Sequence, residues 1–309
     1  MTARAPQSSR GGVVPLSDGK TNLPFLIQQK QQQQQLQPPL ALPSSGFLNT
    51  AAAISTSTSY NVVVAHGLGM PDPSQKTHLN DISYDLWQDC QPLLQGIEIG
   101  STVLYTARGH GKSYGWEPTS SSEELDLMLA KEAFTWPALA HDLADVIRET
   151  LPRDSPTRSS TILFGQSMGA ATALYYAMME DRVKIDALIL ARLPRIWESR
   201  QEVAHEYVQS AQEYKQQHPQ QNRFHHLPIL GASLTDLPPK GDIQRWNCLK
   251  DIPILLLCHG NDTTHPVESG QLLQKVLPHS TLHDFAIDEE QARELWPSHM
   301  ADWLEQQLQ

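Results

Sequence analysis

Five residues near the middle of the chain carry the clearest chemical signal. The run Gly165-Gln166-Ser167-Met168-Gly169 has the pattern Gly-x-Ser-x-Gly and lies between a β-rich run and an amphipathic run. A sharp strand-to-helix turn needs glycines two residues either side of its apex, because a Cβ there would clash in so tight a bend. Such a turn lifts a serine hydroxyl clear of the sheet. Ser167 is therefore the candidate nucleophile of an acyl-transfer reaction.

A serine that attacks a carbonyl also needs hydrogen-bond donors for the oxyanion. The helix N-terminus behind Ser167 offers the Met168 N–H and the positive end of the helix dipole. The run His66-Gly67-Leu68-Gly69 follows an earlier strand candidate, and its glycines let the backbone turn inward. The Leu68 N–H is the second predicted donor. Taken alone, this run fits an ordinary glycine-rich loop between a strand and a helix equally well.

The nucleophile needs a base, and the base needs an orienting carboxylate, in the chain order serine, acid, histidine. Asp262 follows the strand candidate Ile254–Cys258 and is the predicted acid. Its alternative is a turn aspartate, which is common after Gly and Asn. His299 follows the last strand candidate and Trp296-Pro297-Ser298, and it is the predicted base.

The chain has 13 histidines, so the base is chosen by its position relative to the predicted strands and to Ser167 and Asp262. His265 lies three residues after Asp262, and we take this spacing as too short for an easy hydrogen bond between the two. The other histidines considered and rejected on position are His110, His259, His279 and His283.

A metal site is not expected. The adjacent pair His225-His226 has no matched carboxylate or cysteine, so both are interpreted as surface residues of a loop. Serine chemistry of this kind requires neither a metal nor an organic cofactor.

The elements that must position these residues alternate between short β-rich runs and longer amphipathic ones, which is typical of α/β proteins. The strand candidates are short and apolar, as in a largely parallel sheet buried on both faces. They are Val62–Ala65, Thr102–Tyr105, Thr161–Phe164, Ala187–Leu190, Ile254–Cys258 and Thr281–Phe285. The helix candidates are Tyr84–Leu94, Trp136–Thr150, Met168–Met179, Val267–Val276 and Glu289–Gln307. We expect Pro297 to break the last of these into a loop and a terminal helix.

The interval from about 192 to 246 departs from this rhythm and is predicted to be an inserted helical cap. It begins with a polar helical stretch, Trp197–Gln217, between two predicted strands. Arg192, Arg195 and Trp197 follow a strand end and are candidate substrate-binding residues. An arginine there can pair with a substrate carboxylate, although an ion pair between cap and core is the favoured alternative.

Residues 1–58 differ in composition from the rest of the chain, because they are rich in Gln, Pro and Ser. We predict a disordered N-terminal tail, followed by one domain over residues 59–309. Four basic residues against one acidic residue in this stretch leave an organelle transit peptide as the less favoured alternative to a cytoplasmic protein.

Charge and composition exclude several classes of function. The chain has 309 residues and a formal net charge of −11, which disfavours binding to nucleic acid or to an anionic membrane surface. Its apolar runs are far shorter than the roughly 20 residues of a membrane-spanning helix. Three cysteines without a Cys-x-x-Cys pair disfavour a disulfide framework and fit a reducing compartment.

From about Tyr60 to its C-terminus, the chain resembles the α/β-hydrolase family, particularly its small capped esterases and enol-lactonases. The resemblance rests on Ser167, Asp262, His299 and the His66-Gly67 turn in order. Further similar segments are Arg108-Gly109-His110-Gly111-Lys112-Ser113, Phe134-Thr135-Trp136, Asp142-Leu143 and Asp262 through Pro266-Val267.

Two features depart from the family pattern. Tyr105-Thr106-Ala107 stands where the family often has an aspartate before Arg108, and the 37 residues from Asp262 to His299 exceed the usual spacing.

The resemblance implies a serine hydrolase that acts on an ester, a lactone or a related small acyl compound through a Ser-Asp-His triad. Two alternatives stay open. One is a non-catalytic protein that binds a small molecule on the same fold. The other is different chemistry on the same triad, either hydrolysis of a carbon–carbon bond or cofactor-free peroxidation.

Overall fold

The computed structural model describes residues 7–15, 22–30, 58–68, 82–110, 113, 131–151, 160–217, 226–285 and 288–309. Its strands are β1 (Gln7–Pro15), β2 (Asn22–Lys30), β3 (Ser59–Ala65), β4 (Glu98–Tyr105), β5 (Ser160–Gln166), β6 (Ile185–Ala191), β7 (Ile254–His259) and β8 (Thr281–Phe285). Its helices are α1 (Ile82–Cys90), α2 (Trp136–Thr150), α3 (Met168–Ala177), α4 (Trp197–Gln217), α5 (Leu227–Ser233), α6 (Ile243–Asn247), α7 (Val267–Val276) and α8 (Glu289–Leu308). A short 3₁₀ turn, Gln91–Leu93, follows α1.

All the strands belong to one sheet, in the order β1-β2-β4-β3-β5-β6-β7-β8. The strands from β3 to β8 pair in parallel, whereas β1 and β2 pair antiparallel at one edge. The predicted mostly parallel sheet flanked by helices is confirmed, and each predicted strand lies within or coincides with an observed one. Because parallel strands end at the same edge, the loops after β3, β5, β6 and β7 gather there.

Helices cover both faces of the sheet. Alternate residues of β3 show this arrangement, because Val63 packs with the core that contains α2 and α3, while Val62 and Val64 pack with α1 and α8. The strands are therefore buried on both sides, and this packing holds in place the strand ends from which the loops at the carboxyl edge begin.

The N-terminal segment corrects the prediction of a disordered tail over residues 1–58. β1 and β2 form a hairpin, and β2 pairs with β4 from Phe25↔Tyr105 to Gln29↔Ser101. Val14, Leu23 and Ile27 are buried in the main core. A composition averaged over 58 residues conceals these two strands, which contain few apolar residues but bury them when β2 pairs with the edge of β4. Residues 31–57 lie outside the described part of the chain.

Pro297 does not break the last helix, contrary to the prediction. It is buried inside a continuous α8. Proline removes one intrahelical hydrogen bond and crowds the preceding turn, but Trp296, Met300 and Trp303 pack into the core on the same helix. This burial outweighs the local cost, so His299 lies on a helix rather than in a loop.

The cap region contains α4, α5 and α6, between β6 and β7. Ala211 of α4 and Leu227 and Leu230 of α5 form a small apolar cluster with Phe134, which precedes α2. His226 is buried just before α5, and His225 lies outside the described residues. None of the helices that the structure describes is long and apolar enough to cross a membrane.

Deleting residues 1–30 should lower the melting temperature by more than about 5 °C. The deletion uncovers the edge of β4 and removes three buried apolar side chains, each contributing about 1.5–3 kcal/mol, and one kcal/mol shifts the melting temperature by about 2–4 °C at this size. A deletion of residues 1–6, which keeps both strands, is the control. An unchanged melting temperature for the 1–30 deletion would restore the disordered-tail interpretation.

Candidate active site

Ser167 occupies the turn between β5 and α3 and is nearly buried, with 8% of its surface exposed. Its backbone has a positive φ of 54° together with ψ −117°, a combination that non-glycine residues rarely adopt. The flanking glycines are required by packing: a Cβ on Gly165 would lie 2.3 Å from the carbonyl oxygen of Gly169, and a Cβ on Gly169 would lie 2.0 Å from that of Ala65. The Ser167 N–H donates to Ala191 O at 3.0 Å. Neighbouring strands thus hold the strained turn in place.

A hydrogen-bonded chain of three side chains begins at this serine. Ser167 Oγ lies 2.7 Å from His265 Nε2, and His265 Nδ1 lies 2.9 Å from Asp262 Oδ2. Because a carboxylate can only accept, we assign the ring proton to Nδ1. Nε2 is then the acceptor of the serine O–H, which is the arrangement of a general base beside a nucleophile.

The structure corrects the predicted base, because His265 rather than His299 contacts Ser167. His299 lies on α8, and its ring faces that of His283 on β8 at a centroid distance of 5.1 Å. It is not among the residues that line the cavity around Ser167. Two expectations failed together: α8 continues through Pro297, and a separation of three residues does not keep an acid and a histidine apart.

The loop after β7 explains how so short a spacing works. Asn261 takes a left-handed conformation with φ 63°, which asparagine tolerates well. Asp262 Oδ1 accepts the backbone N–H groups of Thr264 at 3.0 Å and His265 at 2.9 Å. One carboxylate oxygen therefore closes the turn, and the other faces the imidazole.

Asp262 is held in its charged form. Burial alone would raise its pKa, but hydrogen bonds from the side chain and backbone of His265 and the charge of Arg192 lower the pKa well below the usual range. Arg192 Nε and Nη2 lie 3.1 and 2.9 Å from Asp262 Oδ2. His259, also buried, has Nε2 3.3 Å from the same oxygen. The carboxylate remains negative at neutral pH and favours the Nδ1–H tautomer of His265.

The three predicted substrate-binding residues have different positions. Arg192 lines the cavity, but it forms ion pairs with Asp262 and Glu289. Arg195 is half-buried and donates to Thr263 O. Trp197 is buried, and its indole N–H donates to Pro238 O. Arg195 and Trp197 are not among the lining residues. Their hydrogen bonds connect loops of the protein and do not place them beside a substrate.

The two predicted oxyanion donors lie on the wall beside the serine. Leu68 and Met168 line the same cavity as Ser167, and the Met168 N–H belongs to the first turn of α3, whose N–H groups have no intrahelical acceptor. His66 fixes the Leu68 loop: its Nε2 accepts the Ala107 N–H at 2.8 Å, so its Nδ1–H donates to Gly67 O at 2.7 Å. Their role as oxyanion donors stays a prediction.

The loop after β4 is tied to α2. Arg108 makes a two-pronged ion pair with Asp142, at 2.9 and 2.6 Å. Ser113 Oγ–H donates to Thr106 O at 2.6 Å, and Gly109 has φ 77°. These contacts brace the loop that receives the His66 ring.

A cavity of about 300 Å³ opens over Ser167 and His265. Core and cap both contribute to its wall. The lining residues are Gly67, Leu68, Trp136, Gln166, Ser167, Met168, Arg192, Pro194, Arg200, Tyr207, Ala232, Thr264 and His265. Sequence reasoning missed Trp136 of α2 and Arg200 and Tyr207 of α4 as site residues, because nothing in the spacing shows which face of either helix turns toward the cavity. In the part of the chain that is described, no three His, Cys, Asp or Glu side chains group in a way that could hold a metal.

Comparisons with known proteins agree with this fold. A family model described as the alpha/beta hydrolase family matches residues 62–292. A search of curated proteins gives no match. Solved structures with a similar fold include a hydrolase from Pseudomonas aeruginosa, with 14% identity, TM-score 0.59 and coverage of 97% of this chain and 98% of that one. An esterase from Exiguobacterium antarcticum has 14% identity, TM-score 0.58 and coverage of 96% and 100%. The enol-lactonase from Burkholderia xenovorans has 15% identity, TM-score 0.56 and coverage of 95% and 100%.

His265→Ala should lower kcat for a small ester by a factor on the order of 10⁴ or more, because the serine loses its base. His299→Ala is the matched control and should stay within about threefold of the parent, since His299 packs against His283 and is not among the residues that line the cavity. Steady-state kinetics of both variants checks this. A severe loss in His299→Ala with activity retained in His265→Ala would return the base to position 299.

Asp262 should contribute stability that depends on pH. Its pKa is lowered in the folded chain, so the stabilisation is fully present above the unfolded value of about 3.9 and is lost as the pH falls below it. The difference in melting temperature between the parent and Asp262→Asn should therefore shrink as the pH is lowered from 7 to 3. A difference that stays constant over this range would contradict the assignment.

Proposed function

Because this chain belongs to the alpha/beta hydrolase family, we propose that it is a serine hydrolase that cleaves an ester, a lactone or a related acyl bond in a small molecule. The observation that carries the proposal is the continuous hydrogen-bonded chain from Ser167 through His265 to Asp262. Each member has the partner that its role in acyl transfer requires.

The first half of the reaction forms an acyl-enzyme. His265 Nε2 takes the proton of Ser167 as Oγ attacks the carbonyl carbon of the substrate. Asp262 keeps the ring oriented and stabilises the imidazolium. The N–H groups of Leu68 and Met168 hold the oxyanion, and the imidazolium then gives its proton to the departing alkoxide.

The second half regenerates the serine. Water gives a proton to His265 Nε2 as its oxygen attacks the acyl carbon, and collapse of the second tetrahedral intermediate returns that proton to Ser167 Oγ. The products are a carboxylic acid and the alcohol released earlier. A lactone would give a single hydroxy acid by the same steps.

The cavity supports a small substrate. Its volume of about 300 Å³ is at the lower end of the range for small-molecule sites. Leu68, Trp136, Met168 and Pro194 supply apolar wall around Ser167, which suits a short acyl or alcohol group better than a long lipid chain.

Ser167→Ala should abolish hydrolysis of a panel of short acyl esters, with a loss in kcat on the order of 10⁶, and should also abolish covalent labelling by a serine-directed phosphonate. Ser298→Ala, which removes an exposed hydroxyl on α8, is the control and should behave as the parent. Ester turnover and intact-protein mass spectrometry provide the two readings. A parent protein that neither turns over any ester nor takes the label would refute the proposed function.

A further inference from the structure

A buried arginine faces the proposed nucleophile's cavity from the cap. Arg200 of α4 lines the cavity, and only 3% of its surface is exposed. Its Nε–H donates to Thr235 O at 3.1 Å, and Nη2 donates to Ala232 O. Its guanidinium carbon lies 4.6 Å from the ring centroids of both Trp136 and Tyr207.

No carboxylate among the described residues pairs with this cation. Arg192, the second arginine of the cavity, is neutralised by Asp262 and Glu289, whereas the ion pairs of the described chain do not include Arg200. The charge of Asp236 acts on Arg200, but Asp236 Oδ1 accepts the N–H groups of Trp197 and Leu237. The formal positive charge of Arg200 therefore has no counter-ion in direct contact among the residues that the structure describes.

Burying the charge of Arg200 costs free energy unless a bound anion balances it. Burial lowers the pKa of Arg200, yet arginine stays charged in proteins, so a buried guanidinium without a carboxylate bears a desolvation penalty. Beside it, the indole N–H of Trp136 is buried without a hydrogen-bond partner among the described residues. Among the described residues, the indole N–H of Trp136 thus lacks an acceptor and the guanidinium of Arg200 lacks an anionic partner, and both residues line the cavity.

We propose that Arg200 recognises a carboxylate on the substrate, and that the enzyme acts on small acyl compounds that carry this second, anionic group. The inference rests on the proposed hydrolase function and adds the class of substrate to it. Backbone carbonyls take two of the guanidinium N–H groups, and of its five donors enough remain for the two-pronged contact that arginine makes with carboxylates.

The placement of the two groups sets the form of the substrate. Ser167 belongs to the sheet edge and Arg200 belongs to the cap, and they line one cavity of about 300 Å³. The scissile carbonyl is at the sheet and the carboxylate is at the cap. Half-esters of short dicarboxylic acids, and esters whose alcohol half bears a carboxylate, both have this form.

The test compares two matched pairs of esters. The first pair is the 4-nitrophenyl monoester of glutaric acid against 4-nitrophenyl valerate, which places the charge in the acyl half. The second pair is the valerate ester of 3-hydroxybenzoic acid against phenyl valerate, which places it in the alcohol half. The parent should prefer the charged member of one pair by about 10- to 100-fold in kcat/KM, as a charge-assisted hydrogen bond implies.

Arg200→Met should lower kcat/KM for the preferred charged ester at least tenfold more than for its neutral partner, and Arg200→Lys should recover part of that preference. Arg182→Met is the matched control, because Arg182 also donates to two backbone carbonyls, Ala177 O and Cys248 O, but lies outside the cavity wall. The ratio between paired substrates is the reading, since a loosened cap would lower both rates together. Equal losses on both members, or no preference of the parent in either pair, would overturn the inference.

A binding measurement separates this inference from the hydrolase proposal. In Ser167→Ala, calorimetry should show tighter binding of the preferred charged ester than of its neutral partner by about tenfold or more, and Ser167→Ala/Arg200→Met should lose the difference. This result would support the role of Arg200 even if the parent showed no turnover. Equal binding of both esters by Ser167→Ala would overturn that role while leaving hydrolysis by the parent untouched.

Discussion

The hydrogen bond between His265 Nδ1 and Asp262 Oδ2 is the contact on which the arrangement of the site depends, because it joins two residues of one short turn. The turn is closed by the other oxygen of the same carboxylate, which accepts the backbone N–H groups of Thr264 and His265. The acid therefore positions the base twice, once through the backbone and once through the ring. A single loop at the end of β7 supplies both partners of the nucleophile.

The rest of the fold brings that loop to the serine. β5 and β7 are separated in the sheet only by β6, and the Ser167 N–H is bound to Ala191 at the end of β6. Arg192, the next residue, has φ 52° and reaches across to Asp262. Three successive strand ends are thus connected by hydrogen bonds and an ion pair, which keeps Ser167, His265 and Asp262 in position relative to one another.

Much of this could be predicted from the sequence, because each of the parallel strands is a short apolar run and Ser167 lies in a local pattern of five residues. Asp262 was predicted to follow the strand Ile254–Cys258 for the same reason, and the structure places it directly after β7. His265 was missed because sequence spacing does not show that an Asp side chain can close its own turn. One signal was available: no histidine occurs between Phe285 and Glu289, where the strand-edge argument required one.

The remaining errors have physical causes of another kind. β1 and β2 contain few apolar residues, and their burial depends on the exposed edge of β4, which is distant in sequence. Pro297 is tolerated because the tryptophans around it are buried in the core. Arg200 could not be assigned to the cavity, since the direction of a polar helix is decided by what it packs against. The N-terminal strands, Pro297 and Arg200 all depend on contacts between residues far apart in the sequence. Local sequence patterns do not show such contacts.

A crystal structure of the phosphonate-inhibited protein would show directly which side chains surround the reacting serine, because the phosphonylated serine has the tetrahedral geometry of the intermediate. We expect phosphorus bonded to Ser167 Oγ, with His265 Nε2 within hydrogen-bond distance of the adduct and His265 Nδ1 still bound to Asp262. An adduct in which His265 points away and another histidine occupies that position would contradict it.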